Sequence, residues 1–364
     1  DAFGSVLDEN KIKTSKRLFF TATPIVLSNQ IKGKAEINDI EVASMDDESI
    51  FGNVLHELKF SDAINNNPPL LSDYQVVVVV VDDPMIRQQI INRDLLTTDG
   101  ENIIDAERIA TKIALIKSIK EYDLRRIISF HGLVKNAKQF AEDLNEINNW
   151  MPEKDKPKEK INCEFVSGSM KTSERNNKLK RLKNIKNNER RLLSNARCLS
   201  EGVDVPALDG IAFIDPKSSQ IDIIQAVGRA IRKSKDKTIG TIVIPVYIGE
   251  TDDLEEELIA SKFKHVWQII LALKSQDDSL MQTIDRLRIS LGENGGSISR
   301  GGGLEKIIII PEKINYRFSE SIKTLLIRNT SENWYESYGK LIKFFKENNE
   351  RSPSQESKLG KWVN

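Results

Sequence analysis

The chain has 364 residues, 39% of them hydrophobic, and its 54 basic residues balance 54 acidic ones. This length predicts two or three domains, and the hydrophobic fraction is sufficient for a globular core. A net charge of zero excludes steering by the whole molecule, so any contact with nucleic acid must come from a local basic patch. No run approaches the ~20 apolar residues of a membrane span, and we expect no membrane partner.

The cysteines and the chain ends give expectations about the cellular location and the extent of the protein. Cys163 and Cys198 form no Cys-x-x-Cys pair, which argues against a disulfide framework and against a zinc site. This usage predicts a reducing, cytoplasmic location. The start, DAFGSVLDENK, has no initiator methionine or targeting segment, and the end, LGKWVN, stops after an apolar pair. We expect both ends to be cuts within a longer protein.

Two apolar runs are the first strong patterns along the chain. LFFTAT, residues 18–23, predicts a strand that leaves a core, and the polar residues 32–50 predict a loop-rich connection. QVVVVVVDDP, residues 75–84, predicts a fully buried strand, because its β-branched run lacks polar alternation.

Helical and strand patterns then alternate, which predicts an α/β fold with a parallel sheet sandwiched by helices. The helices are predicted at 105–122, 134–150, 173–188 and 219–234, and the strands at 125–130, 162–168, 190–195, 209–215 and 240–248. A helical extension, a glycine-rich linker at 292–303, a short strand at 305–313 and a small aromatic-rich helical module follow.

The stretch QAVGRAIRKS, residues 225–234, carries the strongest local signal for a binding site. At ~100° per residue, Gln225, Arg229 and Arg232 fall on one narrow face of the helix, opposite an apolar face. Two guanidinium groups that project together favour an anion such as a polyphosphate between them, although a solvated basic face remains the alternative. Gly228 is unfavourable inside a helix, and we expect it to be a close-packing position.

A second signal is the stretch SNARCLSEGVDVPALD, residues 194–209, which runs from a strand end into a loop that contains Gly202 and Asp204. Ligands of parallel α/β sheets gather at the carboxyl ends of the strands. An aspartate there can hold a ribose hydroxyl or orient an arginine. The alternative is a turn in which the glycine and the aspartate serve only the backbone.

Five short motifs occur in the order of motifs III, IV, IVa, V and VI of superfamily 2 helicases of the DEAD/DEAH-box type. They are TATP at 21–24, IISFHG at 127–132, FVSGSM at 165–170, SEGVDVP at 200–206 and QAVGRAIR at 225–232. The chain therefore resembles the C-terminal part of such a helicase. Residues 60–80 are similar to the segment that links its two motor lobes, and NWYESYGKLIKFF with LGKWV resembles the start of a helicase-associated domain.

The resemblance implies a RecA-like fold with four parts. These are a remnant of motor lobe 1 with the inter-lobe linker (1–70), a RecA-like lobe 2 (71–250), a helical extension with the glycine-rich linker (251–303), and the start of a helicase-associated domain (304–364). The partners it implies are the missing N-terminal motor lobe and nucleic acid, DNA in preference to RNA.

The same resemblance assigns roles to individual residues. Arg229 and Arg232 match the motif VI arginines that reach the γ-phosphate, with Arg232 the preferred finger, and Gln225 matches the polar residue close to the nucleotide. The family often has an arginine where this chain has Ala226, which puts that contact in doubt. The remaining assignments are ATP binding for Gly202 and Asp204, coupling for Thr21, Ala22 and Thr23, and contacts to strand phosphates for Ser129, Ser167, Gly168 and Ser194.

Neither a G-x-x-x-x-G-K-[ST] phosphate loop nor a DEAD/DEAH tetrad occurs in the chain. The sequence thus predicts that the chain alone does not hydrolyse ATP or bind it tightly, and that ATP and Mg²⁺ act in a full-length parent. Two rival readings remain: a translocase subunit of a restriction-type nuclease, and a non-catalytic nucleic-acid-binding scaffold.

Two further groups of side chains have alternative interpretations. The basic residues of a helix predicted at 171–191 lie all around it, which favours a solvated helix over a nucleic-acid track. The aromatic residues of the last segment favour the core of a small helical bundle over a stacking platform for bases. They are Trp334, Tyr335, Tyr338, Phe344, Phe345 and Trp362.

Overall fold

A computed structural model gives the conformation of most of the chain. It describes all residues except 1–3, 9, 22–23, 28, 38–41, 82–101, 197, 199–207, 216–218, 236, 248–262, 298–302, 307, 310–315 and 364. The chain divides into a small unit, Asp1–Leu58, and a larger unit, Lys59–Asn364.

The small unit contains short helices joined by irregular chain. A 3₁₀ turn at Gly4–Val6 is followed by α1 (Asn29–Ile37) and α2 (Glu48–Phe51), which begins after the N-cap Asp47. The expectation of a loop at 32–50 is thus wrong in part. The strand predicted at 18–23 is also wrong for residues 18–21, which have no regular structure and leave Phe20 89% exposed. An apolar run becomes a strand only beside another strand, and the described part of this unit contains none.

Seven parallel strands build the sheet of the larger unit, in the order β3-β4-β2-β5-β6-β1-β7. Their bounds are β1 Asp73–Val81, β2 Arg126–His131, β3 Lys160–Ser167, β4 Glu189–Ala196, β5 Gly210–Phe213, β6 Ile239–Tyr247 and β7 Ile308–Ile309. The predicted parallel sheet sandwiched by helices is confirmed.

Helices connect and cover these strands. Their bounds are α3 Phe60–Asn65, α4 Asn102–Glu121, α5 Val134–Trp150, α6 Thr172–Lys183, α7 Gln220–Ala230, α8 Lys264–Lys274, α9 Asp278–Glu293, α10 Tyr316–Thr330, α11 Asn333–Glu347 and α12 Lys358–Val363. Two 3₁₀ turns lie at Glu153–Asp155 and Leu304–Lys306. No helix in the described part of the chain is both long and apolar enough to cross a bilayer.

Alternate residues of the strands face two separate apolar cores, as expected for a sheet buried on both sides. On β2, Ile128 and Phe130 join the core beneath α7, α8 and α9, where Phe130 stacks on Phe213 at 5.6 Å between ring centroids. Ile127 points the other way, into the core formed with α4 and α5. Burial of one such side chain stabilises the fold by ~2 kcal/mol.

The basic helix is shorter than predicted, because α6 ends at Lys183 and residues 190–191 lie on β4. Arg190 is buried there by interactions with residues distant in sequence. Its guanidinium pairs with Asp123 at 2.6 Å and Glu159 at 2.8 Å, and it also donates to the Leu124 carbonyl. A sequence pattern does not contain these partners.

The edge strand β3 is closed by side chains. The Asn145 amide of α5 bonds to both the backbone N–H and the carbonyl of Cys163, each at 2.9 Å, and Lys178 of α6 donates to the Phe165 carbonyl. An unpaired strand edge is a template for pairing with another chain. These bonds satisfy groups that a second strand would otherwise use.

The C-terminal helix α11 packs against α9, one of the helices that cover the sheet. Helix α11 crosses α9 where Gly339 faces the Ile289 carbonyl and Gly292 faces the Glu336 carbonyl. Beside this crossing, Arg288 pairs with Glu336 at 3.0 Å, and both side chains are buried. Strand β7 lies within the segment predicted as a separate domain, yet it pairs in parallel with β1. This pairing does not fix where the four predicted parts begin and end, so that division remains a prediction.

Candidate functional site

Helix α7 carries the predicted arginine site. Its start is set by Ser219, whose hydroxyl accepts from the Asp222 amide, and its apolar face packs into the core. The helix ends at Ala230, so the prediction that it includes Arg232 is wrong. Arg232 instead lies in an antiparallel bridge with Leu71. The position on the helical face that the sequence predicts for Arg232 therefore does not apply, because Arg232 lies beyond the end of the helix.

Arg229 departs from the expected outward direction. Its side chain is only 8% exposed, and its Nη1 donates to the Gln225 carbonyl one turn earlier at 3.0 Å. Helix α8 packs against α7. It therefore partly covers the side of α7 that would face solvent if α7 packed on the sheet alone. Gln225 itself is half-buried. The two arginines therefore belong to one chain segment but do not project together from one helical face.

The close-packing glycine of this region is Gly240, and the expectation for Gly228 is wrong. A Cβ on Gly228 would meet only the Phe60 ring, at an ordinary 3.9 Å. A Cβ on Gly240, in β6, would lie 2.5 Å from the Ala230 carbonyl oxygen. Glycine at 240 lets the end of α7 approach β6, which fixes where the segment that leads to Arg232 leaves the helix.

The parallel topology places the arginine segment and the predicted nucleic-acid contact residues at opposite edges of the sheet. Helix α7 connects the end of β5 to the start of β6, so it ends at the amino edge of the sheet, near the start of β1. There the Ser72 amide donates to the Ile231 carbonyl at 2.7 Å. The serines and Gly168 lie toward the carboxyl edge. The arginine segment at the end of α7 and the predicted nucleic-acid contact residues thus lie at different edges of the sheet.

The register of the sheet distinguishes the serines. Ser129 of β2 pairs with Ser194 of β4, two residues inside the row formed by His131, Ala196 and Ser167. Ser129 and Ser194 have no exposed surface, and the Ser129 hydroxyl lies 3.0 Å from His131 Nε2. In this conformation the two buried hydroxyls have no path to a phosphate. Ser167 is likewise only 1% exposed, so of the four predicted contact positions only Gly168 is open to a phosphate.

Ser167 and Gly168 end β3 at the carboxyl edge. The Ser167 hydroxyl is hydrogen-bonded to that of Ser169 at 2.9 Å, and Gly168 and Ser169 are exposed. A Cβ on Gly168 would lie 3.9 Å from Cys198 Cβ, which brings the turns after β3 and β4 together. Hydroxyl and backbone groups of this kind position a strand without reading its sequence.

His131 is a structural residue of this edge. The pKa of its imidazole is lowered from 6.5 to about 4, chiefly by burial; Asp215 opposes this lowering and Lys112 adds to it. The ring is therefore neutral near pH 7 and packs on Phe140 at 4.7 Å between centroids. Asp215 accepts from the Gly132 amide and from Asn136, and so joins the end of β5 to the start of α5. The signal that could have identified Asp215 from the sequence is its position shortly after a predicted strand.

Several predicted positions are not tested by this geometry. Gly202, Asp204, Ala22 and Thr23 lie outside the described residues. Thr21 is an exposed residue of the small unit. Their assignments remain predictions.

The aromatic residues of the last segment do not form a closed core in the described residues. Trp334 is 51% and Tyr338 is 39% exposed, and their rings stack at 5.2 Å with an interplanar angle of 12°. Trp362 of α12 lies 6.0 Å from Trp334. The preferred interpretation as a core is thus wrong for Trp334 and Tyr338, while the other four are half-buried.

Comparison with known proteins shows which family the central part of the chain matches. Residues 111–234 match the model of the helicase conserved C-terminal domain. This range includes the four predicted nucleic-acid contact positions and helix α7. The putative ATP-dependent helicase IRC3 of Saccharomyces cerevisiae is 28% identical over 138 residues, which are 34% of this chain and 20% of IRC3. The probable helicase A859L of African swine fever virus is 34% identical over 86 residues, or 24% of this chain and 9% of that protein.

A solved structure extends the likeness to nearly the whole chain. The ATP-dependent Type ISP restriction-modification enzyme LlaBIII bound to DNA aligns with a TM-score of 0.68 and 25% identity. The alignment covers 97% of this chain but 24% of LlaBIII, so the chain spans only a fraction of these proteins. Together with the parallel sheet and the ordered motifs, these matches show that residues 111–234 carry a helicase conserved C-terminal domain and that the chain is similar to the C-terminal RecA-like lobe of superfamily 2 helicases.

Proposed function

We propose that this chain is the C-terminal motor lobe of an ATP-dependent nucleic-acid helicase or translocase. The observation that carries the proposal is the arginine segment at the end of α7, which is fixed to the amino edge of a RecA-like sheet. The segment lies within the helicase C-terminal match. In the chain's sequence neither a phosphate loop nor an acidic tetrad accompanies it, so a second lobe must hold the nucleotide.

In this proposal, Arg232 is the finger that stabilises charge on the γ-phosphate of ATP, and Arg229 and Gln225 support it. The fit to a nucleotide rests on the cationic end of α7, because guanidinium groups match phosphate oxygens in geometry and charge. ATP with Mg²⁺ would supply a phosphoanhydride bond whose cleavage drives movement. Gly202 and Asp204 remain candidates for nucleotide contact, and Thr21, Ala22 and Thr23 for coupling.

Nucleic acid would bind at the opposite, carboxyl edge. Gly168 is the predicted residue there that the phosphates of a nucleic-acid strand can reach, while the buried Ser167, Ser129 and Ser194 would shape the edge from inside. Separation of the two sites suits a motor, because nucleotide-driven closure at one edge can move the strand at the other. We propose DNA as the substrate, since LlaBIII, which aligns along nearly the whole chain, is a DNA-bound enzyme.

A second candidate function is duplex translocation within a restriction-type nuclease, without strand separation. The alignment with LlaBIII over 97% of this chain supports it. An intact motor that displaces a triplex-forming strand but releases no single strand from a duplex would favour this candidate. Strand release would favour a helicase.

The chain itself allows a first test through single-stranded DNA. If its contacts are to phosphates, the logarithm of the affinity should fall linearly with the logarithm of the salt concentration, with a slope of roughly −0.7 for each phosphate. Ser167→Ala, which removes the buried hydroxyl that is bonded to the exposed Ser169, should weaken binding, whereas Ser173→Ala, at an exposed position on α6, should not. Binding that is insensitive to salt would contradict the phosphate contacts.

The arginine role requires the chain joined to an ATP-binding motor lobe. Arg232→Ala should lower kcat for ATP hydrolysis by about 10³-fold or more, as for other arginine fingers. Lys233→Ala, at the exposed neighbouring position, is the matched control and should retain turnover. Equal turnover of the Arg232 variant and wild type would refute the finger, and absence of any turnover in the joined wild type would favour a non-catalytic scaffold.

A further inference from the structure

Lys237 is a buried cation at the amino edge of the sheet. Its side chain lies in the short connection between α7 and β6 and is 9% exposed. Its ammonium group donates to two main-chain carbonyls, that of Ala230 at 2.8 Å and that of Leu208 at 2.9 Å. Desolvation lowers the pKa of this amine to about 8, with Asp209 acting in the opposite direction.

Both carbonyls occupy significant positions in the chain. Ala230 is the last residue of α7, two residues before Arg232. Leu208 directly follows residues 199–207, which contain Gly202 and Asp204, and directly precedes Asp209 and β5. One ammonium group therefore ties the end of the arginine helix to the end of the second predicted nucleotide-binding segment.

The chemistry explains why a lysine is suited to this place. The last carbonyls of a helix lack intrahelical donors and carry a partial negative charge, which a cation stabilises. A hydrogen bond from a charged donor is also stronger than one between neutral groups. Gly240 permits the close approach, because a Cβ there would stand 2.5 Å from the same Ala230 oxygen.

The tie continues from the helix end to Arg232 itself. The Ile231 carbonyl accepts from the Ser72 amide at 2.7 Å, and Arg232 pairs with Leu71 in a β-bridge. Movement of Ala230 would therefore strain both contacts with Leu71 and Ser72. The backbone from which the Arg232 side chain extends is held on one side by Lys237 and on the other by residues 71–72.

We propose that Lys237 is the positioning residue of the Arg232 finger: it caps α7, joins it to the segment that precedes β5, and so holds Arg232 where it can meet a phosphate. The inference rests on the proposed function for the phosphate, but its structural part can be tested in this chain alone. It assigns Lys237 no contact with nucleotide.

Hydrogen exchange of the chain gives the structural test. Lys237→Met removes the ammonium group and keeps the apolar stem, so the Ser72 amide should exchange about tenfold faster or more, while amides of the β2–β4 ladder keep their protection. Lys237→Arg, which keeps charge and donors, should restore protection. Lys235→Met is the matched control, because Lys235 is exposed in the same connection. Unchanged exchange at Ser72 in the methionine variant would overturn the proposal.

Kinetics in the intact motor separate positioning from general destabilisation. Lys237→Met should lower kcat by about tenfold or more and leave KM for ATP unchanged. The double variant with Arg232→Ala should be no slower than Arg232→Ala alone, because residues that act through one contact are not additive. A slower double variant, or an unaffected kcat, would refute the positioning role.

The two hypotheses fail in different ways. If Arg232→Ala keeps full turnover, the proposed function is wrong at the finger, whatever the exchange result. If Arg232→Ala is inactive and Lys237→Met is fully active, only the positioning role is wrong. Should the methionine variant not fold, Lys237→Gln, which keeps one donor group, replaces it in both measurements with the same expected directions.

Discussion

The crossing of α9 and α11 makes Gly339→Ala an informative perturbation. In a helix, glycine to alanine normally stabilises by ~1 kcal/mol, because alanine has the better helix propensity. At position 339 the new Cβ would lie 2.0 Å from the Ile289 carbonyl oxygen and 2.9 Å from its carbon. Both atoms belong to the backbone, so no side-chain rotation relieves the contact, and the helices must separate.

The expected magnitude follows from these two opposing effects. Overpacking in a well-packed interface typically costs about 1–3 kcal/mol. Because this contact is so short and is made with backbone, we expect a cost of ~3 kcal/mol. The gain in propensity offsets ~1 kcal/mol, so Gly339→Ala should lower the free energy of unfolding by roughly 2 kcal/mol. Gly292→Ala should behave similarly, because its Cβ would stand 2.1 Å from the Glu336 oxygen.

Urea unfolding followed by circular dichroism measures the effect, with Gly228→Ala as the matched control. Gly228 is also helical, but its added Cβ meets only the Phe60 ring at 3.9 Å. The same substitution should therefore stabilise at 228, by up to ~1 kcal/mol, and destabilise at 339. A Gly339→Ala variant as stable as wild type would refute the close crossing, and a strongly destabilised Gly228→Ala variant would refute the open space there.

Two further predictions concern buried charge. Arg190→Met should lower the free energy of unfolding by ~3 kcal/mol, because it leaves Glu159 and buried carbonyls unpaired. Arg191→Met, at the more exposed neighbouring position, should cost less than ~1 kcal/mol. Equal losses for the two variants in denaturant melts would contradict the ion-pair network around Arg190. For His131, the pKa lowered from 6.5 to about 4 means that the unfolded chain binds more protons in that window, so stability is complete above pH 6.5 and is lost as the pH falls toward 4. The loss should approach ~3 kcal/mol, and His131→Gln should remove that part of the pH dependence; an identical pH profile for both would exclude a buried neutral imidazole.

Local patterns determined the periodic parts of this protein. The helix predicted at 134–150 is observed at Val134–Trp150, and the valine run begins within β1 as expected. Such elements are predictable because alternation of apolar residues with the period of a helix or strand is itself the physical requirement for their burial. The ordered motifs likewise identified the helicase lobe, which the family match and the LlaBIII alignment confirm.

Element ends and the burial of charge were decided by the tertiary structure. Helical periodicity continues through Arg232, yet α7 stops at Ala230, because Leu71 and Ser72 take up the backbone groups that follow. Those partners are far away in sequence, so no local pattern contains them. Ser129 and Ser194 resemble contact residues in their motifs, but the sheet register places them two residues behind the edge.

Lys237 shows the same limit for the candidate site. RKSKDK, residues 232–237, reads as a solvated basic run, and its lysines are chemically identical along the chain. Only the fold makes one of them different, by placing Lys237 beneath two main-chain carbonyls while Lys233 and Lys235 stay exposed. The sequence by itself determined that arginines would stand at the end of this helix. The tertiary structure decided what holds them there, because the fixing groups are backbone carbonyls and amides that every residue has and no motif marks.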